Sequence, residues 1–146
     1  MNIFEQLSSG LETKSPDETI AIASTLAKAL PTEAILTLEG DLGAGKTTFV
    51  KGLARALGIQ ELITSPTFNI FNTYDSGARM LIHMDAYRLE PNPETIDDLM
   101  LEDFMISPYC LAIEWPGNLG KLPWTTTLQL EFTIPSVGTH RIRAIG

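Results

Sequence analysis

The octapeptide Gly40-Asp41-Leu42-Gly43-Ala44-Gly45-Lys46-Thr47 constrains this chain more than any other feature. It fits G-x-x-x-x-G-K-[ST], a pattern that requires a strand ending at the first glycine and a helix beginning at the lysine. Both flanks comply. Ala34 to Glu39 is short, mostly apolar and bounded by Pro31 and Gly40, which suits a buried central strand. From Lys46 onward, Phe49, Leu53 and Leu57 recur at helical spacing, and Gly58 stands where a left-handed residue ends a helix. In such a loop, glycines let consecutive backbone N–H groups curl around phosphate oxygens without Cβ clashes, and the helix N-terminus adds positive potential. Lys46 then reaches the outer phosphates and the Thr47 hydroxyl takes Mg²⁺. Asp41, Leu42, Gly43, Ala44, Gly45, Lys46, Thr47 and Thr48 are therefore the candidate nucleotide-binding residues, with ATP and Mg²⁺ as the implied ligands.

The rest of the chain supplies a sheet around that loop. Ser15-Pro16-Asp17-Glu18 is a capping box with proline at the first helical position, so a helix is predicted over about 16–30, ended by Pro31. Thr67 to Tyr74 and Arg79 to Met84, joined by Asp75-Ser76-Gly77, predict a hairpin. Ile96, Leu99, Met100 and Phe104 form a helical stripe between Pro93 and Phe104, opposite a solvated acidic face. Tyr109 to Glu114 reads as another buried strand, Thr125 to Ile134 as an alternating one, and His140 to Ile145 as the last, after the turn Pro135 to Gly138. With 146 residues, 44% of them hydrophobic, the chain can build one real core and not two. The expected architecture is α/β: a three-layer, P-loop NTPase-like single domain over 1–146 with a mixed parallel and antiparallel sheet.

A nucleotide site of this kind also needs a carboxylate at the end of a neighbouring strand, to hold magnesium or orient water. Two strands offer one: Leu81 to Asp85 and Cys110 to Glu114. The second is the more apolar, hence the expected neighbour of the loop strand, which favours Glu114 as the Walker-B-like group; the residues alone leave the two roles interchangeable. Thr64-Ser65-Pro66-Thr67 lies where P-loop switch proteins sense the outer phosphate, and is equally an ordinary loop sequence. Trp115 either packs over the site or is a plain core aromatic, and Arg88 is either a phosphate-charge stabiliser or a structural ion-pair partner. His83 and His140 have no cysteine or histidine at metal-ligand spacing, which argues against zinc, and the lone Cys110 reads as a core residue.

Charge restricts the partners. Ten Lys+Arg against 18 Asp+Glu give a net charge of -8, which excludes a globally basic surface for tracking nucleic-acid phosphates. A single cysteine cannot make an internal disulfide, the N-terminus lacks a secretory pattern, and no apolar run reaches the roughly 18 to 20 residues that cross a bilayer. A cytoplasmic protein with no membrane association is expected.

Four blocks taken together, Gly40 to Phe49, Ser65-Pro66-Thr67-Phe68, His83-Met84-Asp85-Ala86-Tyr87-Arg88-Leu89 and Ile113-Glu114-Trp115-Pro116, resemble the bacterial TsaE family, in its order and over nearly the whole chain. The first block is shared by any P-loop protein; H-x-D-x-Y-R combined with I-E-W is far more specific. The resemblance implies a small ATPase required for making threonylcarbamoyladenosine in tRNA. It would work with two partner proteins, TsaD, which transfers the threonylcarbamoyl group, and TsaB, which dimerises with it. It further implies that Thr47 and Glu114 bind magnesium, that Asp85 and the Thr64 to Thr67 segment support hydrolysis with Lys46, that Trp115 borders the nucleotide, and that Leu11-Glu12-Thr13 helps hold the base, making Thr13 a candidate. The chain departs from the family at Met100, where glycine commonly precedes a Leu-acid-acid stretch.

Two rival readings share the loop motif. A small-molecule kinase would carry an Arg-rich lid, whereas the five arginines here, at 55, 79, 88, 141 and 143, do not cluster as one. A nucleotide-gated interaction protein would have nearly the same motif set and differ in needing ATP occupancy rather than turnover.

Overall fold

The computed structural model describes residues 1–41, 43–66, 70–89 and 99–145. Its centre is a seven-stranded sheet. In chain order the strands are β1 (Leu11–Thr13), β2 (Glu33–Gly40), β3 (Phe71–Tyr74), β4 (Met80–Asp85), β5 (Tyr109–Glu114), β6 (Leu128–Ser136) and β7 (Thr139–Ile145), and across the sheet they run β1-β7-β6-β2-β5-β4-β3. The middle pairings, β6 with β2, β2 with β5 and β5 with β4, are parallel; the outer pairings, β1 with β7, β7 with β6 and β3 with β4, are antiparallel. Burial follows that division. Every residue of β5 is buried, as a parallel strand covered on both faces should be, whereas β6 has many exposed positions and β7 is mostly half-buried.

Three helices are described: α1 (Ile3–Ser9), α2 (Pro16–Ala29) and α3 (Lys46–Ala56). The capping box works as its residues dictate: the Ser15 hydroxyl accepts from the Glu18 backbone N–H, and Glu18 reaches back to the N–H of Lys14 rather than to that of the cap itself. All three helices press the same sheet face, burying Leu7, Leu26, Phe49 and Leu53 against Leu36, Leu38, Leu81 and Ala112. The opposite face buries Ile35, Ile82, Met84, Leu111 and Ile113. Its described cover is two short 3₁₀ helices, Leu101–Phe104 and Pro116–Leu119, with neighbouring side chains such as Leu99 and Trp124. The result is the expected three-layer α/β arrangement with a mixed sheet.

Some local expectations change. The helix predicted between Pro93 and Phe104 lies outside the described residues up to position 98; beyond it the chain turns at Met100, whose φ of 55° is left-handed, into the 3₁₀ helix. A helical stripe therefore does not run through to Phe104, because a left-handed residue ends an α-helix. Of the hairpin's first strand, residues 67–69 are outside the described set and pairing is seen from Phe71. The elements α1 and β1 had no sequence expectation. Asn2 caps α1, its side chain accepting from the Glu5 N–H, and β1 is a three-residue edge that pairs with β7. The strand expected over 125–134 runs from Leu128 to Ser136; Pro135 is accommodated where the β6–β7 register shifts between Thr133 and Ser136. Cys110 is a core residue, and burial pushes its thiol up to about 12. Among the described residues no helix is long and apolar enough to cross a membrane.

Candidate nucleotide site

The loop between β2 and α3 is built on glycine. A Cβ on Gly40 would lie 2.4 Å from the Phe132 carbonyl oxygen, so only glycine lets β2 end this close to β6. Gly45, at φ 103°, is the N-cap of α3, and among the described residues no side chain caps its first turn. The opening N–H groups of a helix are thus left for another acceptor, beside the positive end of its dipole.

Lys46 follows at once. Its side chain is buried, its ammonium donates to the Gly40 carbonyl, and that ammonium sits 3.9 Å from the centre of the Trp115 ring. Burial lowers its pKa from the ordinary lysine value, against the opposing pull of the Glu114, Asp85 and Asp41 carboxylates. Trp115 is held by a left-handed backbone, φ 59°, and its ring stacks at a tilt on Tyr87, centroids 5.1 Å apart.

Strand periodicity places the acids. On β5, Cys110 and Ala112 face the helix layer; two residues further, so does Glu114. On β4, Leu81 faces that layer, and His83 and Asp85 continue the same face. The parallel register sets Asp85 opposite Glu114 and His83 opposite Ala112. Two carboxylates therefore stand side by side at the C-terminal ends of parallel strands, where like charges repel unless a cation lies between or near them. Glu114 Oε2 lies 3.4 Å from the Thr47 hydroxyl and accepts from His83 Nε2 at 2.5 Å; both of those side chains converge on the one oxygen. The Thr47 hydroxyl also meets that of Ser65 at 2.8 Å, which ties the loop after α3 to the start of α3. Asp85 accepts the Tyr87 N–H through Oδ1 at 3.0 Å.

These groups line a cleft of about 230 Å³, whose walls include Gly43, Lys46, Thr47, Ser65, Asp85, Glu114 and His140. Past His140, whose Nδ1 donates to the Ala44 carbonyl at 2.9 Å, a second hollow of about 190 Å³ is walled by Lys14, Ser15, Pro16, Thr19 and Gly138. Gly45, Thr48 and His140 line both. The β2–β5 pairing makes Glu114, as its apolar strand implied, the acid on the strand next to the loop, with Asp85 one strand further out.

The other candidates are dispersed. Thr64 is exposed and does not line the cleft, although Ser65 does. Asp41 faces a separate groove with Glu39, Glu131 and Phe132. Thr13 is buried behind the second hollow, its hydroxyl paired with that of Thr19 at 2.9 Å, and it is Thr19 that reaches the surface of the hollow. Arg88 is exposed and makes no ion pair among the described residues; Leu42 and Thr67 lie outside them. Sequence reasoning weighed His83 and His140 only as zinc ligands and anticipated neither the bond from His83 to Glu114 nor the wall formed by Lys14, Ser15 and His140. The His83-x-Asp85 and Ala112-x-Glu114 alternation carries the first, whereas the second needs the β1–β7 register, which no local pattern reveals.

A family model described as threonylcarbamoyl adenosine biosynthesis protein TsaE matches residues 13–142, from β1 into β7. The chain belongs to the TsaE family. Its relatives include the Bacillus subtilis tRNA threonylcarbamoyladenosine biosynthesis protein TsaE, 47% identical over 103 residues, which are 70% of this chain and 63% of that relative. The protein of the same description from Borreliella burgdorferi is 40% identical over 133 residues, 90% of this chain and 95% of the relative. This chain's match thus spans slightly under two thirds of the first relative and nearly all of the second. The crystal structure of Bacillus subtilis YdiB superposes with a TM-score of 0.74 at 37% identity, covering 91% of this chain and 81% of that one.

Proposed function

We propose that this protein is a Mg²⁺-dependent ATPase of the cytoplasm that acts with TsaB- and TsaD-type partners in the threonylcarbamoyladenosine modification of tRNA. The observation that carries the reading is the meeting of a glycine-capped, side-chain-free helix start with Lys46, Thr47 and two register-matched carboxylates in one cleft. In this reading the N–H groups of Gly43 and of Gly45 to Thr48, with the Lys46 ammonium, bind the phosphates, while that of Ala44 stays on the Asp41 carbonyl. The base extends past His140 into the hollow walled by Lys14, Ser15 and Thr19.

The donor set suits magnesium. Thr47, Glu114 and Asp85 offer oxygen only. That matches a hard cation that keeps waters and takes phosphate oxygens alongside one or two protein ligands. When bound, it neutralises charge on the outer phosphates. Thr47 and Glu114 would hold it, Asp85 would orient the attacking water or the loop, and the Ser65 hydroxyl, bonded to that of Thr47, would couple the loop after α3 to the state of the nucleotide.

The kinase alternative fits less well. Arg79 donates to the Pro31 carbonyl, Arg141 to that of Ser9, and Arg143 pairs with Glu131, so these three are engaged away from the phosphate cleft. With a net charge of -8 the protein supplies little of the RNA contact, and the partners supply the rest. The experiment is reconstitution of the tRNA modification with and without this protein, with each partner, in ATP and in a non-hydrolysable analogue. Product that depends on this protein and on hydrolysis supports the proposal; product that needs only occupancy favours the gated interaction protein. Modification indifferent to the protein overturns both.

A further inference from the structure

The buried histidine beneath the two acids has no task in the mechanism above. His83 is fully enclosed, and it can reach Glu114 only because its direct register partner on β5 is the small Ala112, which leaves the diagonal open. Its Nε2–H donates to Glu114 Oε2, while Nδ1 is buried with no hydrogen-bond partner among the described residues. Such an arrangement is a poor way to fill a core. Burying an imidazole with one nitrogen unsatisfied is less favourable than burying leucine or methionine there, which is what neighbouring Leu81, Ile82 and Met84 do.

What the histidine does achieve is geometric. Glu114 is also buried, and without a donor its carboxylate would be free to take another rotamer. With Oε2 held by His83 and lying close to Thr47, the carboxylate is fixed toward the hydroxyl at the head of α3. Among the described residues, no donor pairs with its other oxygen.

We propose that His83 is a positioning residue for the metal: it locks the Glu114 carboxylate beside Thr47, so that the cation meets a preformed pair of protein ligands. The inference rests on the reading of the cleft as a Mg²⁺–nucleotide site. Partners that orient a metal-binding side chain from behind are typically worth about 10- to 100-fold in metal affinity.

The test compares the wild type with His83→Phe, His83→Asn and His83→Gln. Gln extends an amide N–H to about where Nε2 lies; Asn keeps a polar side chain too short to reach Glu114, and Phe removes the donor. For each, Mn²⁺ affinity in the presence of saturating ADP is read by electron paramagnetic resonance, and ADP affinity in EDTA by calorimetry. We expect Asn and Phe to weaken Mn²⁺ binding by about tenfold or more and Gln to recover most of it, with ADP affinity in EDTA within about twofold throughout. If Phe fails to fold, as circular dichroism would reveal, the contrast of Asn with Gln carries the test. Mn²⁺ affinity in the Asn variant within about twofold of wild type overturns the positioning role, as does an equal loss in Asn and Gln. A wild type whose ADP complex binds no Mn²⁺ instead refutes the reading of the cleft itself.

Discussion

Replacing Gly52 with alanine sets two effects of opposite sign against each other, and the structure decides between them. Gly52 lies inside α3, where alanine is ordinarily favoured over glycine by about 1 kcal/mol. Here the added Cβ would stand 2.6 Å from the Ala23 Cβ, 2.6 Å from the Ile20 carbonyl oxygen and 2.9 Å from the Ile20 Cα. Two of these three neighbours are backbone atoms of α2, which cannot rotate aside, so the helices must separate. Separation would also stretch the bond from the Ser24 hydroxyl to the Gly52 carbonyl, now 3.1 Å. Overpacking a close contact costs about 1 to 3 kcal/mol, and backbone obstacles put this case at the upper end. The net expectation is a loss of about 1 to 2 kcal/mol, or a fall in Tm of roughly 3 to 8 °C for a chain of this size. The assay is thermal and urea unfolding beside Gly117→Ala, where an added Cβ meets nothing within 4 Å and little change is expected. A Gly52→Ala protein as stable as the parent, or more so, would refute the claim that backbone contact fixes the α2–α3 distance.

Met100→Gly should stabilise the protein by about 0.5 to 1 kcal/mol in urea unfolding, because φ 55° strains an L-residue by more than glycine's added chain entropy costs. Glu114→Gln should raise the Mg²⁺ concentration needed for nucleotide turnover, whereas Asp85→Asn should leave nucleotide binding nearly intact and lower kcat, both read by steady-state kinetics against free Mg²⁺; exchanged phenotypes would reverse the two roles. The isolated protein should give no tRNA gel shift at about 150 mM salt, where the few basic side chains are screened, and a tight salt-resistant shift would contradict the charge argument.

Much of the site was legible because its parts are local. The glycine spacing, the apolar strand before Gly40 and the stripe after Lys46 place the loop without any knowledge of the tertiary structure. The stronger apolarity of the strand ending in Glu114 correctly puts it next to the loop strand, since a parallel strand buried on both faces must read as continuous hydrophobics. What escaped depends on contacts distant in sequence. The second hollow needs β1 and β7 brought together, and the His83–Glu114 bond needs a parallel register in which Ala112 leaves a gap. The turn at Met100 escaped for another reason: apolar spacing records which face is buried, not whether one residue in the run takes a left-handed backbone.

The most direct test of the central claim is calorimetric titration of ATP with Mg²⁺ into the wild-type protein and Lys46→Ala. Lys46 is buried, its ammonium reaches the Gly40 carbonyl beside the Trp115 ring, and among the described residues no other lysine or arginine lines the cleft. Loss of a charge-assisted bond to a desolvated phosphate is worth about 2 to 4 kcal/mol, which predicts saturable wild-type binding and a roughly 30- to 1,000-fold weaker variant. Equal affinities for the two proteins would contradict the account of the loop as a phosphate-binding site.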